Sequence, residues 1–291
     1  MAPRQMMNNL SWAMLHPLDY LRILHFCRRV KDYHPQKVHP QLVLSWLDQF
    51  PKTDHHLILS LLSHIRYYSE QKTEDVLVKH NGKLLAKLQS RGVALEKVIY
   101  VTVDKPASSS HLMLNLLRDK ANLERKRVHI IDCQNLLELI KTTISLGSGA
   151  IIYVDDFSGT GDQFLNSRNY VAKEVPLIGQ FSEFFLLPCI CREAFAAITK
   201  VGVEIVCDYI HDKNDRPLHP DSIILDDVER ERLVGYCREG DRGAPLGYRG
   251  LASMVVFYRN TPNGVPSIFR GNVGQDSKFG IFPRITDLVR G

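Results

Sequence analysis

The chain has 291 residues, 44% hydrophobic and 24% charged, enough for one large α/β domain with a smaller one appended and too apolar for a disordered chain. Its formal charge of +5 permits a nucleic-acid partner without requiring one. No run of eighteen apolar residues occurs, and MAPRQMMNNLSWAM lacks the charged-then-apolar order of a signal peptide, so a cytoplasmic protein without a membrane partner is expected.

The first ninety residues read as helices. An amphipathic stretch runs from about Asp19 to Val30, and Pro40 opens a short helix carrying Val43, Leu44, Trp46 and Leu47. Asp54 is placed to cap a helix in which Leu57, Ile58, Leu61, Leu62, Ile65 and Tyr68 recur at helical spacing. Val76, Leu84, Leu85 and Leu88 mark one or two more turns before Arg91-Gly92. These elements predict a helical N-terminal domain over 1–92. Eight of the twelve histidines fall in the first eighty residues, including His34, His39, His55, His56 and His64, but none has a partner at zinc spacing. A histidine-rich helical surface is expected. Cys27, Cys133, Cys189, Cys191, Cys207 and Cys237 form no CxxC pair and read as reduced core thiols.

From about residue 95 the pattern becomes strand, helix, strand. VIYVTV (98–103), VHIID (128–132) and AIIYVDD (150–156) read as strands, with helices at 110–123 and 135–144 between them. Further strands are expected at 184–190, 203–210 and 254–258. The fold class is therefore α/β, a mostly parallel sheet covered on both faces, over residues 93–291 with a C-terminal loop-rich segment.

The ends of two strands carry the chemistry. The third strand delivers Asp155 and Asp156 and then Phe157 and SGTGDQ. Gly159 and Gly161 bare the backbone N–H groups, Ser158 and Thr160 add hydroxyls, and a helix expected to begin near Phe164 adds its positive end, which together make an anion cradle. The two acids cannot hold the same anion, so they face ribose hydroxyls, a divalent cation, or both. A sugar phosphate satisfies both halves. A second loop, DKPASSSH (104–111), follows VIYVTV and precedes another helix.

The stretch VDDFSGTG resembles the diphosphate-sugar signature of type I phosphoribosyltransferases. That resemblance implies that Asp155 and Asp156 grip the ribose hydroxyls and that Ser158 to Gln163 hold the 5′-phosphate of phosphoribosyl pyrophosphate or a nucleotide. It also implies that Lys105, Ser108, Ser109 and Ser110 face the pyrophosphate, and that Mg²⁺, held by Asp155 and Asp156, neutralises the leaving group. With GYRGLASMVVFYRNTPNGVPSIF (247–269) and the helical WLDQF…LILSLLSHIRYYS (46–69), the chain is similar over nearly its whole length to phosphoribosyltransferase-like effectors of bacterial conflict systems, retrons included. The resemblance implies a transferase or hydrolase acting at an anomeric carbon in anti-phage defence. A partner protein and nucleic acid, as in a retron-type reverse transcriptase complex, would restrain it.

Two departures bear on activity. The phosphate loop ends in Asp162 and Gln163, where the superfamily usually has Gly or Lys and then Thr. A carboxylate about 5 Å from a phosphate charge costs on the order of 3 kcal/mol at an effective dielectric near 20. Asp162 then either turns outward to cap its helix or marks a pocket that does not want a phosphate; Gln163 still offers amide donors. No general base is evident, which keeps open an alternative in which the pocket only senses a nucleotide. Acceptor contacts are expected around Cys191 to Glu193 and at Tyr248 and Arg249, where an aromatic face can stack on a base. RDKANLERKR (118–127) reads as a solvated face. Arg238, Arg242, Arg249, Arg259, Arg270 and Arg284, spread through loops, suggest phosphate or nucleic-acid contact.

Overall fold

A computed structural model describes residues 16–104, 108–271 and 280–284. The chain divides into two compact units, one formed by 1–70 with 213–291 and the other by the continuous segment 71–212. The expected boundary at residue 92 is not where compactness divides the chain. The N-terminal helices share one apolar core with the C-terminal segment, so the two ends of the chain fold as one body.

In that first unit, α1 (Pro17–Arg29), α2 (Pro40–Leu47) and α3 (His55–Leu61) turn Ile23, Phe26, Val43, Trp46 and Ile58 inward. Pro40 sits in the first turn of α2, as expected, and the His39 ring accepts the Leu42 N–H at 3.2 Å as the helix cap. Asp54 does not cap α3. Its carboxylate instead takes bonds from Arg232 at 3.0 Å and Tyr236 at 2.5 Å, because two long donors satisfy a buried carboxylate better than one backbone amide.

Next come β1 (Arg66–Tyr68), the 21-residue helix α4 (Glu70–Ser90), β2 (Val98–Thr102), α5 (Ser109–Lys120), β3 (His129–Ile131) and α6 (Leu136–Leu146). They are followed by β4 (Gly149–Val154), β5 (Phe157–Ser158), α7 (Asp162–Glu174), β6 (Phe181–Cys191), α8 (Arg192–Thr199) and β7 (Glu204–His211). The chain closes with α9 (Asp227–Gly240), β8 (Val255–Phe257) and α10 (Ser267–Arg270). The strand expected at 254–258 is β8, but it lies outside the main sheet. It pairs in parallel with β1 in the first unit, where the Tyr68 and Phe257 rings stack at 5.0 Å.

The second unit is the α/β body. Its strands are all parallel, in the order β3-β2-β4-β6-β7. The short β5 continues the line of β4 along β6: Val154 pairs with Leu186 and Phe157 with Cys189, so the register is kept across the interruption. Alternate residues serve opposite layers. Ile99, Val101, Ile151, Tyr153, Phe185 and Leu187 pack with α6, α7 and α8, whereas Val98, Tyr100, Ile152, Val154, Phe184 and Leu186 pack with α4 and α5. Burial on both faces explains why these strands read as unbroken apolar runs.

In chain order the strands of this sheet stand second, first, third, fourth, fifth, so the winding reverses between β2 and β4. At such a reversal the loops leave the two strands in opposite directions and open a crevice at their carboxyl ends. No helix among the described residues is long and apolar enough to cross a membrane.

Candidate active site

Both loops singled out in the sequence leave the strands that flank this crevice. Asp155 and Asp156 occupy the interruption between β4 and β5, at the carboxyl end of β4, where the Asp155 N–H still donates to the Leu186 carbonyl of β6 at 3.2 Å. Asp155 is buried, and its Oδ1 accepts from Ser109 Oγ at 2.9 Å and from the Asp156 N–H at 2.9 Å. Burial first, and then the neighbouring Asp156 charge, push the Asp155 carboxyl well above the usual carboxylate range. Burial raises Asp156 as well, against hydrogen bonds from Ser109 and the Phe157 amide that favour its ionised form. Two adjacent raised carboxyls are a site that gains from hydroxyl donors or a cation.

The three serines before α5 do different things. Ser110 is fully buried; it accepts the Val103 N–H at 2.6 Å and donates to the Val154 carbonyl at 2.6 Å, so it rivets the ends of β2 and β4 together. Its one proton is therefore used inside the fold and is not offered to a ligand. Ser109 faces the acid pair, and the Ser108 hydroxyl oxygen is buried with no hydrogen-bond partner. Lys105 lies outside the described residues.

In the cradle, α7 begins at Asp162, two residues before the expected start. Of its two glycines, Gly161 takes the left-handed conformation at φ 85°, and a Cβ there would meet the Ala194 Cα at 3.4 Å, so glycine lets the helix start lie close against α8. Beneath it Phe164 stacks on Phe185 with ring centroids 4.2 Å apart and meets Tyr153 edge-on at 5.2 Å. Ser158 is buried in β5, and Gly159 and Thr160 are half-buried.

Asp162 does not cap α7, which has no side-chain cap bond. Its carboxylate turns back to accept from the Thr160 hydroxyl at 2.9 Å. Gln163 donates across the crevice to Asp104 Oδ2 at 3.1 Å. Two donors expected to meet a phosphate are thus held by neighbouring carboxylates.

The crevice contains residues that the sequence did not single out. Asp104 and Asp132 stand just past β2 and β3, and His111 Nε2 lies 2.8 Å from Asp132 Oδ2. The signal was present: each acid closes an apolar strand, the same pattern that drew attention to Asp155. Cys191 ends β6 and Arg192 and Glu193 open α8, also at carboxyl ends of this sheet.

The remaining expected contacts lie in the other unit. Tyr248 is 42% exposed in a single helical turn, with the Arg249 guanidinium 5.7 Å from its ring centre. Arg270 is buried and spends its guanidinium on Asp241 and the Val265 and Ala244 carbonyls. Arg238 is paired with Glu231, and Arg284 donates to the Thr261 carbonyl. Arg270 is thus part of the packing of this core, whereas Arg238 and its partner Glu231 are both exposed.

A model of the PRTase-CE family matches residues 43–284. The chain belongs to that family. The match covers both crevice loops and includes residues of both units of this PRTase-CE protein, and the mostly parallel α/β body over 71–212 is consistent with a phosphoribosyltransferase-like fold. No curated protein and no solved structure matches this PRTase-CE chain.

Among the described residues, no group of three or more His, Cys, Asp or Glu side chains is arranged to hold a metal ion. A magnesium ion that takes most of its oxygens from a phosphorylated ligand and water needs only one or two protein carboxylates. The adjacent Asp155 and Asp156, both raised by burial, are the carboxylates here that suit that role.

Proposed function

We propose that this protein binds phosphoribosyl pyrophosphate or a nucleotide in the crevice between β2 and β4 and acts at its anomeric carbon, as an effector of bacterial anti-phage defence. The supporting observation is the acid pair: two adjacent, largely buried carboxyls at a winding reversal, one of them bonded to the first turn of α5. Ribose hydroxyls donating to Asp155 and Asp156 offset the burial that raises both carboxyls and, at Asp155, the neighbouring Asp156 charge. The amides at the start of α7 meet the 5′-phosphate at a cost from the Asp162 carboxylate, which turns to Thr160 instead of capping its helix, and Ser108 and Ser109 face the pyrophosphate. Magnesium, when bound by Asp155 and Asp156, supplies positive charge against the leaving group. The chain then needs to hold the ribose at both ends and keep the acceptor in line with C1.

The defence setting, a cytoplasmic location, and restraint by a partner protein and nucleic acid belong to the same reading. A second reading, a nucleotide sensor without turnover, is favoured by one observation. Thr160 and Gln163 already serve Asp162 and Asp104, so a phosphate must displace two bonds before it gains any from those side chains.

Calorimetric titration with phosphoribosyl pyrophosphate, with and without Mg²⁺ and followed by an assay for released pyrophosphate, separates the two. The double variant Asp155→Asn, Asp156→Asn is expected to stay folded and lose at least about a hundredfold in affinity, of the order set by two charge-assisted bonds. Equal affinity in a folded double variant refutes the site.

A further inference from the structure

The first turn of α5 reaches three strand ends at once. Ser109 goes to Asp155 after β4, Ser110 joins the ends of β2 and β4, and His111 goes to Asp132 after β3. Asp132 is fixed from two further directions, by the Gln134 N–H at 2.9 Å and the Thr102 hydroxyl at 3.4 Å. A carboxylate so held fixes the plane of the imidazole and balances the charge the ring carries when protonated. The other ring nitrogen, His111 Nδ1, is buried and has no hydrogen-bond partner. The Ser108 hydroxyl oxygen, at the residue just before α5, is buried without a partner too. Buried polar atoms are nearly always bonded, so two orphans on one turn beside the acid pair mark where a ligand's polar atoms belong.

We propose that His111, positioned by Asp132, is the proton donor to the pyrophosphate leaving group. This rests on the phosphoribosyl reading above, in which Ser108 and Ser109 beside His111 face the pyrophosphate. The bond from the anomeric carbon to the pyrophosphate oxygen breaks, and its electron pair stays on that oxygen. The Nδ1 proton passes to the same oxygen and leaves a neutral imidazole whose Nε2–H remains on Asp132. An acceptor of amine or hydroxyl type, water included, forms the new bond to carbon from its lone pair. Its surplus proton returns through solvent to Nδ1. Among the described residues, Asp132 is the charged group paired with the ring. Asp104 and Cys133 stand on the flanking loops, tied by the Cys133 thiol to the Asp104 carbonyl at 3.5 Å, and Asp155 is bonded to Ser109 two residues before.

The test compares wild type, His111→Gln and Asp132→Asn in phosphoribosyl pyrophosphate affinity, pyrophosphate release across pH, and thermal melting. His111→Gln is expected to bind within about threefold of wild type, to lose about 10²- to 10⁴-fold in kcat, and to lose the alkaline fall of the rate. Asp132→Asn is expected to lose about tenfold and to move that fall to lower pH. A folded His111→Gln with wild-type kcat and an unchanged profile overturns the proposal. So does a folded His111→Gln that no longer binds, which would make the ring a binding contact. Wild type that binds without releasing pyrophosphate overturns proton donation alone, whereas wild type that does not bind overturns the phosphoribosyl reading beneath it.

Discussion

Replacing Asp155 with asparagine should make the ligand-free protein more stable. The Oδ1 of asparagine keeps both acceptor bonds, to Ser109 and to the Asp156 N–H, and only the charge is removed. Two unit charges about 4 Å apart at an effective dielectric near 20 cost about 4 kcal/mol, and the native pair avoids part of this by holding a proton. A net gain of about 1–3 kcal/mol at pH 8 follows. At roughly 3 °C per kcal/mol this raises the melting temperature by about 3–9 °C. The sign of the pH dependence follows from the raised native value. Between the unfolded value, about 3.9, and the raised native one, the folded state binds more protons than the unfolded state. Stability is therefore full below about pH 4 and is lost as pH rises through the native value. Asparagine does not titrate, so its advantage should be near zero at pH 4 and grow with pH. Differential scanning calorimetry in chelator from pH 4 to 8 measures this, and a variant no more stable than wild type at pH 8, with the same pH slope, refutes the account of the acid pair.

Ser110→Ala should cost about 2–4 kcal/mol in denaturant titration because it leaves the Val103 N–H and the Val154 carbonyl unpaired, whereas Ser109→Ala should cost under about 1 kcal/mol. Equal losses would contradict the separate roles given to the two serines. Phe164→Ala empties the space between Phe185 and Tyr153 and should cost about 3–5 kcal/mol in the same assay; a loss under about 1 kcal/mol would mean that the start of α7 is not held by that stack.

The α/β body was legible because its strands are buried on both faces and alternate with amphipathic helices, so each strand appears as an apolar run closed by an acid or a turn. The acid pair was legible for the same reason. What the sequence could not show were the partners that only topology supplies. Tyr68 fitted the helical spacing of Leu57 to Ile65, yet it belongs to β1, whose hydrogen bonds come from β8 far along the chain. Asp54 sits where a cap belongs, but Arg232 and Tyr236 of α9 claim it. Ser108, Ser109 and Ser110 look alike as letters and point to three different surroundings. His111 and Asp132 become a pair only once β2 and β3 lie side by side.

The continuous segment 71–212 interrupts a body built from both ends of the chain. During synthesis, at about 5–20 residues per second, α1, α2 and α3 leave the ribosome roughly 10–30 s before the segment that completes their core. Over that interval Ile23, Phe26, Trp46 and Ile58 have no native core partners beyond the N-terminal segment itself, while the α/β body has every residue it needs to fold. The crevice can therefore be assembled on a nascent chain whose other half still exposes apolar side chains. That places the exposure to aggregation, and the demand for chaperones, on the N-terminal helices.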